Sequence, residues 1–130
     1  MISQTAQYAL RAVVCLALRP QASLTTGQLA EITKVSPEYL SKVMQALVRA
    51  DLVTSKPGKA GGFSLKTSPE MLSVLMVVEA IDPPTSNESY PLDIQSYGNV
   101  LRPLHQRLSQ MNAYIRKECS KILIKDLLPS

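Results

Sequence analysis

The sequence predicts a mainly α fold: a winged helix-turn-helix domain, helices plus a two-stranded β wing, with a long C-terminal dimerisation helix. Three observations point there. Two helix starts, at Thr25 and Ser36, stand one tight turn apart. The hydrophobic period then switches from three-and-four spacing to alternation on either side of a glycine-rich turn. A last amphipathic stretch carries a narrow apolar seam after the small domain is complete.

Ser3 caps a first helix running to about Arg19, whose Ala6, Ala9, Leu10, Val13, Leu16 and Ala17 make one buried face. Pro20 stops it. Within Thr25-Thr26-Gly27-Gln28, Thr25 and Gln28 can satisfy each other's backbone donors, a capping box. The short helix it opens, Thr26 to about Thr33, is expected to bury Leu29, Ala30 and Ile32, and Lys34-Val35 makes the turn. Ser36-Pro37-Glu38 supplies an N-cap, a proline at the first helical position and an acid near the positive end of the dipole. This third helix runs through Leu40, Val43, Met44 and Leu47 to about Ala50. Leu52-Val53-Thr54-Ser55 and Phe63-Ser64-Leu65-Lys66 then alternate as strands, joined by the turn Lys56 to Gly62.

A second Ser-Pro-Glu, Ser68-Pro69-Glu70, predicts a helix to about Ile81 that is apolar on nearly every side and so wedged between two layers. Asp82-Pro83-Pro84 ends it, and residues 83 to 98, rich in Pro, Ser and Asn, read as a loop. Pro103 suits the first turn of the last helix, where Leu104, Leu108, Met111, Ile115 and Ile122 are spaced 4, 3, 4 and 7. Such a seam most simply meets a second copy, giving a homodimer; an intramolecular partner is the alternative. The division is 1-81 for the winged domain, 82-98 for the loop, and 99-130 for the dimerisation helix and tail.

With 130 residues, 45% of them hydrophobic and 18% charged, the chain suits one small domain plus an extra element. No basic start marks a secretory signal, and no apolar stretch, Val74 to Val78 included, is long enough for a bilayer. The reading is cytoplasmic, with no membrane partner. Cys15 and Cys119 lie far apart without a CxxC pattern, so neither a disulfide framework nor a zinc site is expected, and no cofactor. The net charge of +4 is unevenly placed: up to Lys66 eight basic residues face three acids, and beyond it six face seven. That is the footprint of a polyanion-binding module beside a neutral one. One histidine, no supported acid pair and no phosphate-binding glycine loop ahead of a helix leave no catalytic set, so the chain is not read as an enzyme.

In a helix-turn-helix the second helix enters the major groove N-terminus first. Ser36, Glu38, Tyr39, Ser41, Lys42 and Gln45 are the positions of that helix expected to face DNA. Gln45 matches an adenine edge, Lys42 a guanine or a phosphate, and Glu38 or Ser41 a cytosine amino group. Thr26 and Gln28 of the preceding helix complete the candidate set. On the wing, Lys56 and Lys59 flank Gly58, and Gly61-Gly62 are expected to leave the backbone open to a phosphate.

Tyr8-Ala9-Leu10-Arg11-Ala12, Leu29-Ala30-Glu31, Val35 to Gln45 and Pro57-Gly58-Lys59-Ala60-Gly61-Gly62-Phe63 closely resemble the Rrf-two family of bacterial winged-helix transcriptional regulators, the IscR, NsrR and CymR type. The resemblance is specific over residues 1 to 81 and looser from Leu101 to Leu128. It implies a dimer joined by the C-terminal helix, with two winged domains on a palindromic operator. Two departures stand out at the family's metal-binding positions. Sensors of the family carry three cysteines in the loop before the dimer helix, whereas residues 82 to 104 here contain none, so a cysteine-ligated iron–sulfur cluster is not expected. Where some members place an acidic ligand near the N-terminus this chain has Gln7, while His105, its one histidine, stands near a family ligand position. The wing also differs, with Pro57 where the family commonly has arginine, which leaves its charge to Lys56 and Lys59.

The expected function is a sequence-specific DNA-binding transcriptional regulator, a repressor, whose input is a small molecule, a partner protein or simply its own concentration. The alternative is a winged-helix protein–protein interaction module without DNA binding. Cys15 reads as packing; Cys119, between Lys117 and Lys121, is a remote candidate for a redox switch.

Overall fold

The computed structural model describes residues 2–84 and 100–129. The element order is α1 (Gln4–Ala17), α2 (Thr26–Thr33), α3 (Pro37–Arg49), β1 (Val53–Lys56), β2 (Gly62–Leu65), α4 (Val74–Ile81) and α5 (Arg102–Lys121), closed by a 3₁₀ turn at Ile124–Leu127. The helix starts follow the side-chain caps. Ser3 Oγ accepts from the Ala6 amide at 3.1 Å and Ser36 Oγ from the Tyr39 amide at 3.3 Å. Thr25 and Gln28 exchange bonds of 2.9 and 3.1 Å. Lys34 closes α2 in the left-handed region at φ 62°, which turns the chain into α3.

One core joins these elements. Ala6, Ala9, Ala12, Val13 and Leu16 of α1 share it with Leu29, Leu40, Val43, Met44, Leu47, Val77 and Ile124. The alanines let neighbouring helices approach α1 closely, while each fully buried leucine stabilises the fold by about 2 kcal/mol. The wing pairs antiparallel from Val53↔Leu65 to Lys56↔Gly62. Leu24 adds a third short segment: the Phe63 amide donates to its carbonyl at 2.7 Å, and its amide donates to Phe63 O at 3.0 Å.

Several expectations change. Ile32, expected inside, is 44% exposed and lines an open groove with Leu18. Thr33 is buried in its place, because its hydroxyl donates to Leu29 O at 2.6 Å and so loses no hydrogen bond. Ser68-Pro69-Glu70 makes only one turn, closed by the Met71 and Leu72 amides on Ser68 O. The helix restarts at Ser73 because the chain must extend first: Leu72 O accepts from the Ile124 amide and the Val74 amide donates to Ile122 O, both at 2.8 Å. Helix α4 packs against α1 and α3 on one side and α5 on the other. It is not enclosed all round, since Met76 is exposed.

The last helix stops at Lys121. Ile122 is its extended cap, so it does not continue the seam of Leu104, Leu108, Met111 and Ile115. Those four divide between two jobs. Ile115 packs against the core and Leu108 is half-buried, whereas Leu104 (46%) and Met111 (58%) face outward. Arg116 bridges to Glu79 at 2.5 Å and fastens α5 to α4. Most of the cysteine-free loop at 82-98 lies outside the described residues. Among the described residues no helix is long and apolar enough to cross a membrane.

Candidate nucleic-acid interface

Helix α3 is sharply two-faced. Leu40, Val43, Met44 and Leu47 are buried, while Glu38, Lys42, Gln45 and Arg49 are exposed at spacings of 4, 3 and 4 and form one outward row. Ser41 lies at its half-buried edge. Arg49 extends this row beyond Gln45, the last position expected from the sequence; its spacing from Gln45 and Lys42 is the signal that could have found it. Ser36 is exposed, but its hydroxyl is spent on the cap. Among the described residues Lys42, Arg49, Lys56 and Lys59 enter no ion pair, so their charge is available to an anion.

Tyr39 sits differently from the rest. Its hydroxyl shares a hydrogen bond with Thr5, and its ring meets Tyr8 edge-on, centroids 5.3 Å apart and planes at 87°. On α2, Thr26 is half-buried; Gln28 is exposed with Oε1 engaged in the cap, which leaves its amide NH₂ as a donor.

The wing glycines divide by role. Gly58 lies at the exposed tip with φ 97°, and nothing stands within 4 Å of where a side chain would begin. Lys56 and Lys59 are exposed beside it. Gly61 and Gly62 are instead needed by the wing itself. A Cβ on Gly61, which is buried, would lie 2.1 Å from Lys56 O. One on Gly62, at φ 134°, would lie 2.7 Å from the Leu24 carbonyl. The open backbone expected at Gly61-Gly62 is therefore filled by the chain's own strands, and Gly58 alone offers close approach.

Among the described residues no group of three or more His, Cys, Asp or Glu could hold a metal ion. His105 is half-buried on α5. Cys15 and Cys119 are buried on α1 and α5, and burial pushes both thiols up from the ordinary value of 9.0. For Cys15 the Arg19 guanidinium offsets part of that rise. A raised folded-state value means stability is fully present below pH 9.0 and is lost as pH climbs toward the folded-state values. We expect thiol-reagent labelling at neutral pH to be slow for the folded chain and fast after denaturation. Rapid labelling of Cys119 in the folded chain would restore it as a redox candidate.

A family model described as "Rrf2: Iron-dependent Transcriptional regulator" matches residues 2–130. The chain belongs to the Rrf2 family. It shares 26% identity over 131 residues with a protein of Aquifex aeolicus named as an HTH-type transcriptional regulator, covering 98% of this chain and 91% of that one. It shares 28% over 123 residues with the similarly named BadM of Rhodopseudomonas palustris, covering 92% and 75%. Among solved structures, oxidised CymR of Staphylococcus aureus superposes with a TM-score of 0.74 at 21% identity, covering 100% of this chain and 99% of that one. IscR of T. potens superposes at 0.73 and 19%, covering 98% and 85%. This Rrf2 protein is thus a winged-helix DNA-binding transcriptional regulator, and its relatives are regulators rather than enzymes. The iron of the family description finds no matching donors among the described residues: two buried thiols on separate helices do not fit a cysteine-ligated cluster.

Proposed function

We propose that this Rrf2 protein is a cytoplasmic repressor that binds a palindromic operator as a homodimer, without a cysteine-ligated iron–sulfur cluster. The observation that carries this reading is the outward row Lys42, Gln45 and Arg49 on α3, accompanied by a wing whose tip presents Lys56, Gly58 and Lys59. The row reads base edges from the major groove and the wing tip holds the phosphate backbone. Leu104 and Met111, apolar and outward on α5, support the dimer. The buried, separated thiols support an input other than a cluster: a small molecule, a partner protein or the regulator's own concentration.

The two tools are separable by experiment. Lys59→Ala should weaken binding alike on all sequences and flatten the salt dependence by roughly 0.9 in log–log slope for each phosphate no longer neutralised. Gln45→Ala should relax preference at one base pair, with a loss of about 1–3 kcal/mol in discrimination, roughly five- to 150-fold. Titrations against a panel of duplexes at two salt concentrations measure both. Equal losses across the panel for both variants would contradict the assignment, and no DNA affinity at low salt would favour the interaction-module alternative.

A further inference from the structure

Tyr39 stands at the first turn of the helix assigned to base reading, 40% exposed, where a direct DNA contact is the obvious role. Its surroundings say otherwise. The hydroxyl is bonded to Thr5, 34 positions earlier on α1, and the ring makes an edge-to-face pair with Tyr8. Tyr8 is itself held: Gln4 Nε2 donates to its hydroxyl at 2.7 Å, and the Arg11 guanidinium lies 5.5 Å from its ring centroid. Arg11 also donates to Thr33 O, at the end of α2. One side of the first turn of α1 thus grips the entry of α3, and the next turn reaches α2.

The other flank of Tyr39 is open. It borders a groove of about 470 Å³ that Thr5, Val43, Ala46 and Ile81 also line. Packing from that side does not confine the ring, so its position rests on the Thr5 hydroxyl and the Tyr8 ring. Buried Leu40 and Met44 hold α3 against the core below. They set its depth, but no directional bond of theirs fixes the last few degrees of rotation about the helix axis. A hydrogen bond and an edge-to-face ring pair have preferred angles and resist such rotation.

We propose that Tyr39 is a positioning residue rather than a base contact. Together with Thr5 and Tyr8 it forms a latch that fixes the rotation of α3, and so the angle at which Glu38, Lys42 and Gln45 meet the base edges. The proposal rests on α3 being the reading helix. Misaligned donors lose hydrogen bonds to bases steeply, whereas long, flexible Lys and Arg side chains still find phosphates. The latch therefore governs sequence discrimination and leaves non-specific affinity alone.

The test is a double-mutant cycle on the full chain. Tyr39→Phe keeps the ring and removes the hydroxyl; Thr5→Val removes the other hydroxyl at similar volume. Wild type, both single variants and the double are titrated against a duplex selected by the wild-type protein and against a scrambled duplex, at two salt concentrations, with melting temperatures taken alongside. Each single variant should weaken binding to the selected duplex by roughly three- to ten-fold. The double should be no worse than the poorer single, because one shared bond is broken only once. Affinity for the scrambled duplex and the salt slope should not change. Losses that simply add, or a loss for Tyr39→Phe with none for Thr5→Val, would overturn the latch and return Tyr39 to direct DNA contact. Equal losses on both duplexes with a matching fall in melting temperature would reduce it to fold stability. Gln45→Ala, run in parallel, separates the two readings: if it leaves sequence preference intact, the reading assignment of α3 fails, whatever the cycle shows.

Discussion

Gly61→Ala is expected to cripple the wing while leaving the helical core folded. The position is buried, and a Cβ there would lie 2.1 Å from Lys56 O and 2.6 Å from Pro57 O, both backbone atoms with no side-chain freedom to retreat. The strands must part at the turn to admit a methyl group. Forced overpacking of this kind costs about 1–3 kcal/mol, and contact with backbone belongs at the upper end of that range. Roughly 10 °C of melting temperature should be lost, the core transition remaining cooperative. The functional loss should be larger. Displacing the turn removes Lys56 and Lys59 from the phosphates proposed for them, and the proposed dimer has two wings, so operator affinity should fall by about 100-fold if each wing is worth about 1.4 kcal/mol. Gly58→Ala is the control. Its neighbourhood is empty, so folding meets the backbone strain of φ 97° without a clash against backbone, and its melting temperature should fall less than that of Gly61→Ala, while its operator binding also loses the close approach at the wing tip. Calorimetry and operator titration measure the pair; a Gly61→Ala protein with wild-type melting and binding would refute the assigned role.

Met111→Glu is expected to convert the proposed dimer into monomers. Met111 is 58% exposed on α5, so a glutamate there is harmless to a lone chain, within about 0.5 kcal/mol for a surface site. Across a two-fold seam the same change places carboxylates in a contact made of apolar side chains, where burying unpaired charge is prohibitive. Dissociation should be visible in solution mass, and binding to a two-half-site operator should fall by about 100-fold or more as the second half-site ceases to help the first. Binding to a single half-site should hardly change. A Met111→Glu protein that remains dimeric with unaltered operator affinity would show that the outward row of α5 is not the seam.

These variants also mark where the sequence is legible. The wing turn is visible as a lysine- and glycine-rich stretch between alternating runs, but the reason for its last two glycines is not. Gly62 is required by Leu24, a residue before α2 that carries no mark of strand pairing and meets β2 only in the folded chain. Ile122 matches the helical seam by count, yet its carbonyl pairs with Val74, which draws it out of the helix. Ile32 fits the apolar spacing of α2 equally well, but Thr33 takes the inward place by bonding to Leu29 O.

Caps, turns and helix faces were determined by the sequence itself because each depends on partners within three or four residues: Ser3 with Ala6, Thr25 with Gln28, Ser36 with Tyr39. Those bonds form wherever the segment is helical, whatever surrounds it. The tertiary structure alone decided that Ser68 to Glu70 stays a single turn, that the wing's own backbone and Leu24 leave no room for a side chain at Gly61 and Gly62, and that Tyr39 is tied to Thr5. Each of these depends on chain segments meeting across the fold, with directional hydrogen bonds or hard backbone contacts that no local pattern records. Local chemistry placed the helix proposed to meet DNA; only the fold brought Thr5 and Tyr8 of α1 against its first turn.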